Sequence, residues 1–212
     1  EVKDSVVKSG WIVNQISKSC SEIARPPSKG VFHPSALGNQ CDRYLYYHYN
    51  GLIVSTISPD LQRMFDHGNS TQDRYQRYFE RAGILLGTEI PVKLGSPPIS
   101  GRLDFEIKYN KFEKAIVELK TINLDGFKKL TEARQDHYVQ LQIYMNLRDC
   151  NNGFVLYECK NDQKLKEFLY HKDTNAWWDI LNRCKTIQQM TGPPKLSDKH
   201  ERWCDCLKVE LS

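Results

Sequence analysis

The chain lacks any run near the roughly 18 apolar residues that a membrane-spanning helix needs. Its first residues also lack the charged, apolar and small-residue order of a secretory signal, so a cytoplasmic location and no membrane partner are expected. Internal repeats, low-complexity tracts and a composition-shifted linker are missing too, which predicts one domain over residues 1–212. Its parts would be a helical stretch over 1–83, a sheet core over 84–171, and a C-terminal helix and tail over 172–212. Cysteine occurs seven times, an odd count without framework spacing, which argues against a secreted disulfide scaffold and for reduced thiols. Strong charge of either sign is absent, and a formal net charge of +4 points only weakly to a polyanionic partner.

What is present is an ordinary globular balance, 40% hydrophobic and 26% charged over 212 residues, enough for one well-buried core. Apolar residues Val6, Val7, Trp11, Ile12, Ile16 and Ile23 predict a helix over 5–24, ended by Pro26 and Pro27. Ser35 after Pro34 reads as the N-cap of a second helix closed by Gly51. Ser58-Pro59 starts a third, which stops at Gly83 and has a weak point at Gly68-Asn69-Ser70-Thr71. After Gly83 the period changes to that of strands. ILLGTEIPVKLG carries Pro91, the mark of an edge or a bulge, and ISGRLDFEIKY and KAIVELKTI are joined by the polar NKFEK. A helix pair over 124–149, the strands GFVLYECK and LKEFLYH, and a helix ended by Gly192-Pro193-Pro194 complete the order. The fold class expected is α/β: a central mixed sheet flanked by helices, with an N-terminal helical region and a cysteine-bearing tail.

The chemistry concentrates between Gly101 and Thr121. Asp104 and Glu118, with the carbonyl of Leu119, can hold a hard divalent cation through oxygen. Lys120 beside them can steer or deprotonate an attacking water, or stabilise charge on a phosphate. Side-chain alternation puts Glu118 and Lys120 on one face of their strand and Leu119 on the other. On the neighbouring strand Asp104 is expected to share a face with Arg102 and Glu106, opposite Leu103 and Phe105. An amphipathic hairpin with a merely solvated charged face fits the same residues.

Taken in order, Gly101-x-x-Asp104, Glu118-x-Lys120-Thr121 and Gln140-x-x-x-Tyr144 resemble the PD-(D/E)xK nuclease superfamily in its RecB-type exonuclease branch. Cys41-x-Arg43-x-x-Tyr46, within HPSALGNQCDRYLYY, is similar to the helical motif opening the CRISPR-associated RecB-like exonucleases and their phage-encoded relatives. That likeness hints at a viral origin, in which case the location would be a host cytoplasm. The resemblance covers roughly residues 33–160 and implies a restriction-endonuclease-like core. It implies Asp104 and Glu118 as ligands of Mg²⁺ or Mn²⁺ with the Leu119 carbonyl, Lys120 as the catalytic lysine, and Gln140 and Tyr144 facing the site. The branch usually places a histidine four residues after a glycine on the helix before the sheet. Here Gly68-x-x-x-Gln72 offers an amide, so Gln72 becomes the candidate further ligand, with His67 and Asp73 as alternative donors.

Many relatives also hold a four-iron four-sulfur cluster on one early cysteine and three near the C-terminus. Cys41, Cys184, Cys204 and Cys206 are the corresponding candidates for such a cluster or for Zn²⁺, with a spacing that departs from the familiar tail. Reduced, buried thiols are the alternative, and Cys20, Cys150 and Cys159 read as packing residues. Arg43, Arg74, Lys128 and Lys129 are candidate DNA phosphate contacts, and Tyr47 a candidate for stacking on unpaired bases. No base-reading module is recognisable, so sequence specificity is not expected. The implied activity is a metal-dependent deoxyribonuclease, an exonuclease acting on DNA ends or single strands in recombination, repair or phage DNA processing, with a recombination or helicase protein as a further partner. The alternatives are a structure-specific endonuclease and a non-catalytic DNA- or partner-binding protein on a nuclease scaffold.

Overall fold

The computed structural model describes residues 10–20, 23–25, 28–53, 55–196 and 204–209. The chain first forms α1 (Trp11–Ser19), β1 (Ile23–Arg25), α2 (Pro34–Leu37), α3 (Asp42–Tyr49), β2 (Ser55–Ile57) and α4 (Pro59–Arg81). The hairpin strands β3 (Leu85–Leu94), β4 (Ile99–Lys108) and β5 (Lys114–Ile122) follow, then α5 (Leu124–Lys129) and α6 (Gln135–Leu147). The order closes with β6 (Asn152–Cys159), β7 (Leu165–His171), α7 (Thr174–Gln189) and α8 (Cys206–Val209). Among the described residues no helix is long and apolar enough to cross a membrane.

The main sheet runs β3-β4-β5-β6-β7 and is mixed, because β5 and β6 pair in parallel while the other neighbours are antiparallel. Parallel neighbours need a long crossover, and α5 and α6 supply it. One face of the sheet is covered by α4, whose Tyr75 packs with Phe105, Ile107, Val117 and Leu156. The other is covered by α6, through Leu141, Tyr144 and Met145 on Leu103, Ile116 and Val155. Fully buried side chains such as Leu103 and Phe105 stabilise these layers by roughly 1.5–3 kcal/mol each. A second cluster, with Phe32, Leu37, Leu45 and Ile180, wraps the outer side of α6 at Ile143. That helix is therefore buried on most of its circumference, and its polar Gln142 is satisfied at both ends by the His171 carbonyl (3.0 Å) and the Asp173 amide (2.8 Å). At the start of α6 the approach is so close that a Cβ on Gly38 would lie 2.5 Å from the Asp136 carbonyl oxygen.

Several expected elements change in detail. Of the helix expected over 5–24, the described part is α1, and residues 23–25 pair instead with 55–57 in a two-stranded sheet. The second helix is split. Pro34 occupies its first turn, His33 rather than Ser35 stands at the cap, and the Cys41 thiol caps α3 by accepting from the Tyr44 amide at 3.4 Å. The Gly68-Asn69-Ser70-Thr71 weak point does not interrupt α4, which runs unbroken for 23 residues behind the Ser58 cap. Pro91 lies on the edge strand as expected, and a register irregularity falls between Leu85 and Gly87.

The hairpin is where the faces depart most from simple alternation. β4 and β5 pair only from Phe105↔Val117 to Lys108↔Lys114, and beyond that rung the strands separate. Leu103 then packs on the α6 side and Phe105 on the α4 side, so the two do not share a face. Glu106 likewise leaves Asp104: its carboxylate is gripped by Arg148 (2.8 Å) and Lys114 (3.0 Å).

Candidate active site

Where the backbone ladder stops, a side chain continues it. The Leu119 amide donates to Asp104 Oδ2 at 2.8 Å, so a carboxylate takes the acceptor place that a β4 carbonyl would have filled. One residue along β5, Lys120 Nζ lies 2.7 Å from Glu118 Oε1 and donates to Gln140 Oε1 at 3.1 Å. Gln140 in turn donates to the Tyr144 hydroxyl at 3.3 Å, one turn further along α6. Gly101 admits this arrangement, because a Cβ there would lie 2.8 Å from Pro34 and 3.4 Å from the Tyr144 hydroxyl. The residues predicted from the hairpin and from α6 thus meet in one place.

The other oxygen of Glu118 is the informative atom. Glu118 is 1% exposed, yet its Oε2 has no hydrogen-bond partner. A buried carboxylate oxygen left without a donor is costly unless a cation meets it. Burial pushes the Asp104 carboxyl well above its ordinary range, the Glu118 charge adding to the effect and Lys120 and the Leu119 amide opposing it. Burial also raises Glu118 against the pull of Lys120. Lys120 is lowered by burial but raised by more through Glu118 and Asp104, so it stays a charged ammonium at neutral pH. Nearby His137, lowered to about 4 chiefly by burial and then by Lys120, is neutral there. An oxygen-rich donor set with one unsatisfied atom fits a hard divalent cation.

The sign of these shifts yields a stability prediction. A carboxyl raised in the folded state favours folding only while protonated; that contribution is full below its ordinary value near 4 and is lost as pH rises through the raised one. At neutral pH the metal-free site is therefore a burden on the fold. Asp104→Asn keeps an acceptor for the Leu119 amide and is expected to stabilise the metal-free protein by about 1 kcal/mol, a rise of roughly 2–4 °C in Tm. A melt without change or with a lower Tm at pH 7 in a chelator would contradict this electrostatic account.

Two adjoining cavities open on the site. One, of about 570 Å³, is lined by Gln72, Asp104, Glu118, Lys120 and Gln140. The second, of about 870 Å³, is lined by His33, His48, Lys93, Arg102, Asp104 and Tyr144. Both fall in the size range of ligand sites. Gln72 reaches the first cavity as expected, but its amide nitrogen is committed to Glu89 Oε1. His67 and Asp73 are exposed on α4. Glu89 is a residue the sequence reasoning missed; it also forms an ion pair with Arg102 at 3.1 Å.

No family model matches the sequence, and no curated protein matches it. Solved structures do. The chain is similar to SSO0001, with a TM-score of 0.54 and 17% identity over 94% of this chain and 96% of that one. It is similar also to LHK-Exo, an alkaline exonuclease from Laribacter hongkongensis, with a TM-score of 0.50 and 10% identity over 82% of this chain and 90% of that one. The same exonuclease in complex with dAMP gives a TM-score of 0.51 and 12% identity over 75% and 86% of the two chains. The fold is one that exonucleases use.

On this fold the outlying candidates sort by burial and partner. Tyr47, 6% exposed, packs with Cys41, Cys204 and Cys206 and presents no face for stacking on a base. Arg43 donates to the Tyr47 hydroxyl at 3.3 Å. Arg74 is engaged with the buried Glu158 at 2.6 Å. Lys128 and Lys129 are exposed in the last turn of α5. The cysteine set is corrected. The sulfurs of Cys41, Cys204 and Cys206 lie within 4.8 Å of one another, with Cys41 and Cys206 3.7 Å apart. Cys184 belongs instead to the apolar cluster with Phe32 and Ile180, its thiol pushed up to about 12 by burial. The four-cysteine set does not form, and three thiols suit a soft ion that takes any remaining ligand from elsewhere.

Proposed function

We propose that this chain is a metal-dependent deoxyribonuclease of the PD-(D/E)xK type, in its RecB-like branch, acting as an exonuclease on DNA ends or single strands. The observation that carries the reading is the convergence of Asp104, Glu118 and Lys120 on a cavity where the Glu118 Oε2 atom is buried without a partner. The exonuclease neighbours share the fold, and one of them was crystallised with a deoxynucleotide. Both facts support DNA as the substrate.

Asp104, Glu118 and the Leu119 carbonyl would hold Mg²⁺ or Mn²⁺. Such an ion, when bound, lowers the pKa of water and polarises the phosphate. The rest falls to the chain's own groups. Lys120, kept charged by Glu118, stabilises the negative charge that builds on the phosphate as the bond to the leaving oxygen breaks. Gln140 fixes the lysine's direction by accepting a hydrogen bond from its ammonium at 3.1 Å, and Tyr144 fixes Gln140. Arg102 and Lys93, lining the larger cavity, are placed to meet the phosphates of the strand, with Lys128 and Lys129 outside it. The product expected from this class of chemistry is a 5′-phosphate. Cys41, Cys204 and Cys206 are the candidate holders of a separate structural metal, Zn²⁺ or an iron–sulfur cluster completed by other ligands.

End-labelled linear DNA and covalently closed single-stranded circles separate the readings in one assay with Mg²⁺ or Mn²⁺. An exonuclease releases nucleotides from the linear strand and leaves the circle intact, and a chelator stops it. Cutting of the circle makes the protein a structure-specific endonuclease. Binding of DNA without cutting under either metal makes it a non-catalytic protein on a nuclease scaffold.

A further inference from the structure

Glu89 lies on β3, and the β3–β4 ladder sets it across from Asp104, between the rungs Thr88↔Phe105 and Ile90↔Leu103. Both residues line the larger cavity with Gln140 and Tyr144. The backbone at Glu89 has φ 50°, a left-handed conformation that costs a non-glycine residue roughly 1–3 kcal/mol and persists only where its surroundings enforce it. Two groups hold the carboxylate from either side: the Gln72 amide donates to Oε1, and the Arg102 guanidinium stands 3.1 Å from Oε2. After burial, the Glu89 charge is among the influences that push Asp104, Glu118 and Tyr144 upward, so it bears on the same small volume.

The buried Glu118 Oε2 atom, without a partner, is an independent sign that a cation belongs beside Asp104, since Glu118 lines the smaller cavity, which shares Asp104 and Gln140 with the larger. Lys120 offsets one of the two carboxylates already assigned, which leaves a weak site for a dication that prefers several anionic oxygens. We propose that Glu89 is the third carboxylate of the cation site and that Gln72 acts by holding Glu89 rather than by ligating the ion. α4 then contributes to the site by positioning a strand residue. Arg102 holds the carboxylate from the outer side and meets the substrate phosphate as it enters.

The inference rests on the nuclease reading, and Mn²⁺ binding to the purified full chain tests it apart from activity. By titration calorimetry, Glu89→Gln is expected to weaken Mn²⁺ at least about tenfold, and Gln72→Ala by less, about threefold, with both variants keeping the wild-type melt. Loss of charge alone could weaken binding, so water-proton relaxation counts the waters on bound Mn²⁺. Glu89→Ala should add a water if the carboxylate is a ligand. Unchanged hydration, or Glu89→Gln affinity within twofold of wild type while Asp104→Asn loses the ion, overturns the role of Glu89 and leaves the nuclease reading standing. A wild-type protein that neither binds Mn²⁺ nor cuts DNA removes that reading and this one together.

Discussion

Lys120→Ala is expected to lower the rate of DNA hydrolysis at saturating DNA and Mg²⁺ by about a hundred- to a thousandfold, the usual effect of removing one electrostatic donor from a water-poor site. The reason lies in its surroundings. The ammonium is partly buried between Glu118 at 2.7 Å and Gln140 at 3.1 Å, so its charge and direction are set before substrate arrives. An alanine leaves both the phosphate and Glu118 without that charge. DNA affinity should change far less than the rate, because the proposed phosphate contacts, Arg102 and Lys93, line the larger cavity and Lys120 does not. Asp104→Ala is expected to be at least as severe, since it removes a proposed metal ligand and the acceptor of the Leu119 amide together. Lys120→Ala in addition exposes Glu118 to the cost of an unpaired buried charge, so rates must be read below the melting temperature of each variant. Cleavage by Lys120→Ala within about threefold of wild type, well short of that range, would remove the catalytic assignment.

Arg74→Ala should destabilise the protein by roughly 3 kcal/mol, at the low end of the cost of breaking a buried ion pair. Glu158 is 2% exposed and is held by Arg74 at 2.6 Å and by the Tyr75 hydroxyl at 2.7 Å. With Tyr75 left in place the carboxylate keeps one donor, which is why the low end applies. The change is read from urea unfolding. A double substitution, Arg74→Met with Glu158→Leu, should recover most of the loss, because an apolar pair carries no desolvation penalty. The contrary result is equally specific. If Arg74→Ala unfolds like wild type but weakens DNA binding and flattens its salt dependence, the arginine belongs to the DNA and Glu158 is satisfied without it.

Both residues could be recognised in the sequence, but the partners of only one of them were legible there. Glu118-x-Lys120 is a local pattern: a two-residue period puts both side chains on one face of a strand whatever the strand packs against. The spacing Gln140-x-x-x-Tyr144 is legible for the same reason on a helix. Arg74 looked like one more cation on a basic helix, because nothing local reveals that Glu158, on a strand 84 residues later, comes to lie beneath it. For Tyr47, a candidate for stacking on bases, nothing nearby in the chain shows that it packs with Cys204 and Cys206. Cys184 failed on distance, since identity and approximate spacing say nothing about which apolar cluster a thiol joins.

Within the sequence itself lay the element order, the mixed α/β class and the paired carboxylates with their lysine, because hydrophobic period, capping residues and prolines act over a few neighbours. The tertiary structure decided the rest. The β4–β5 ladder stops at Phe105↔Val117, and this separation turns Leu103 and Phe105 to opposite layers and hands the Leu119 amide to Asp104. It is the β3–β4 register that brings Glu89 across from Asp104, and α4 packing that lets Gln72 grasp it. Register and packing are sums over contacts between segments far apart in the chain, so no single stretch of sequence contains them.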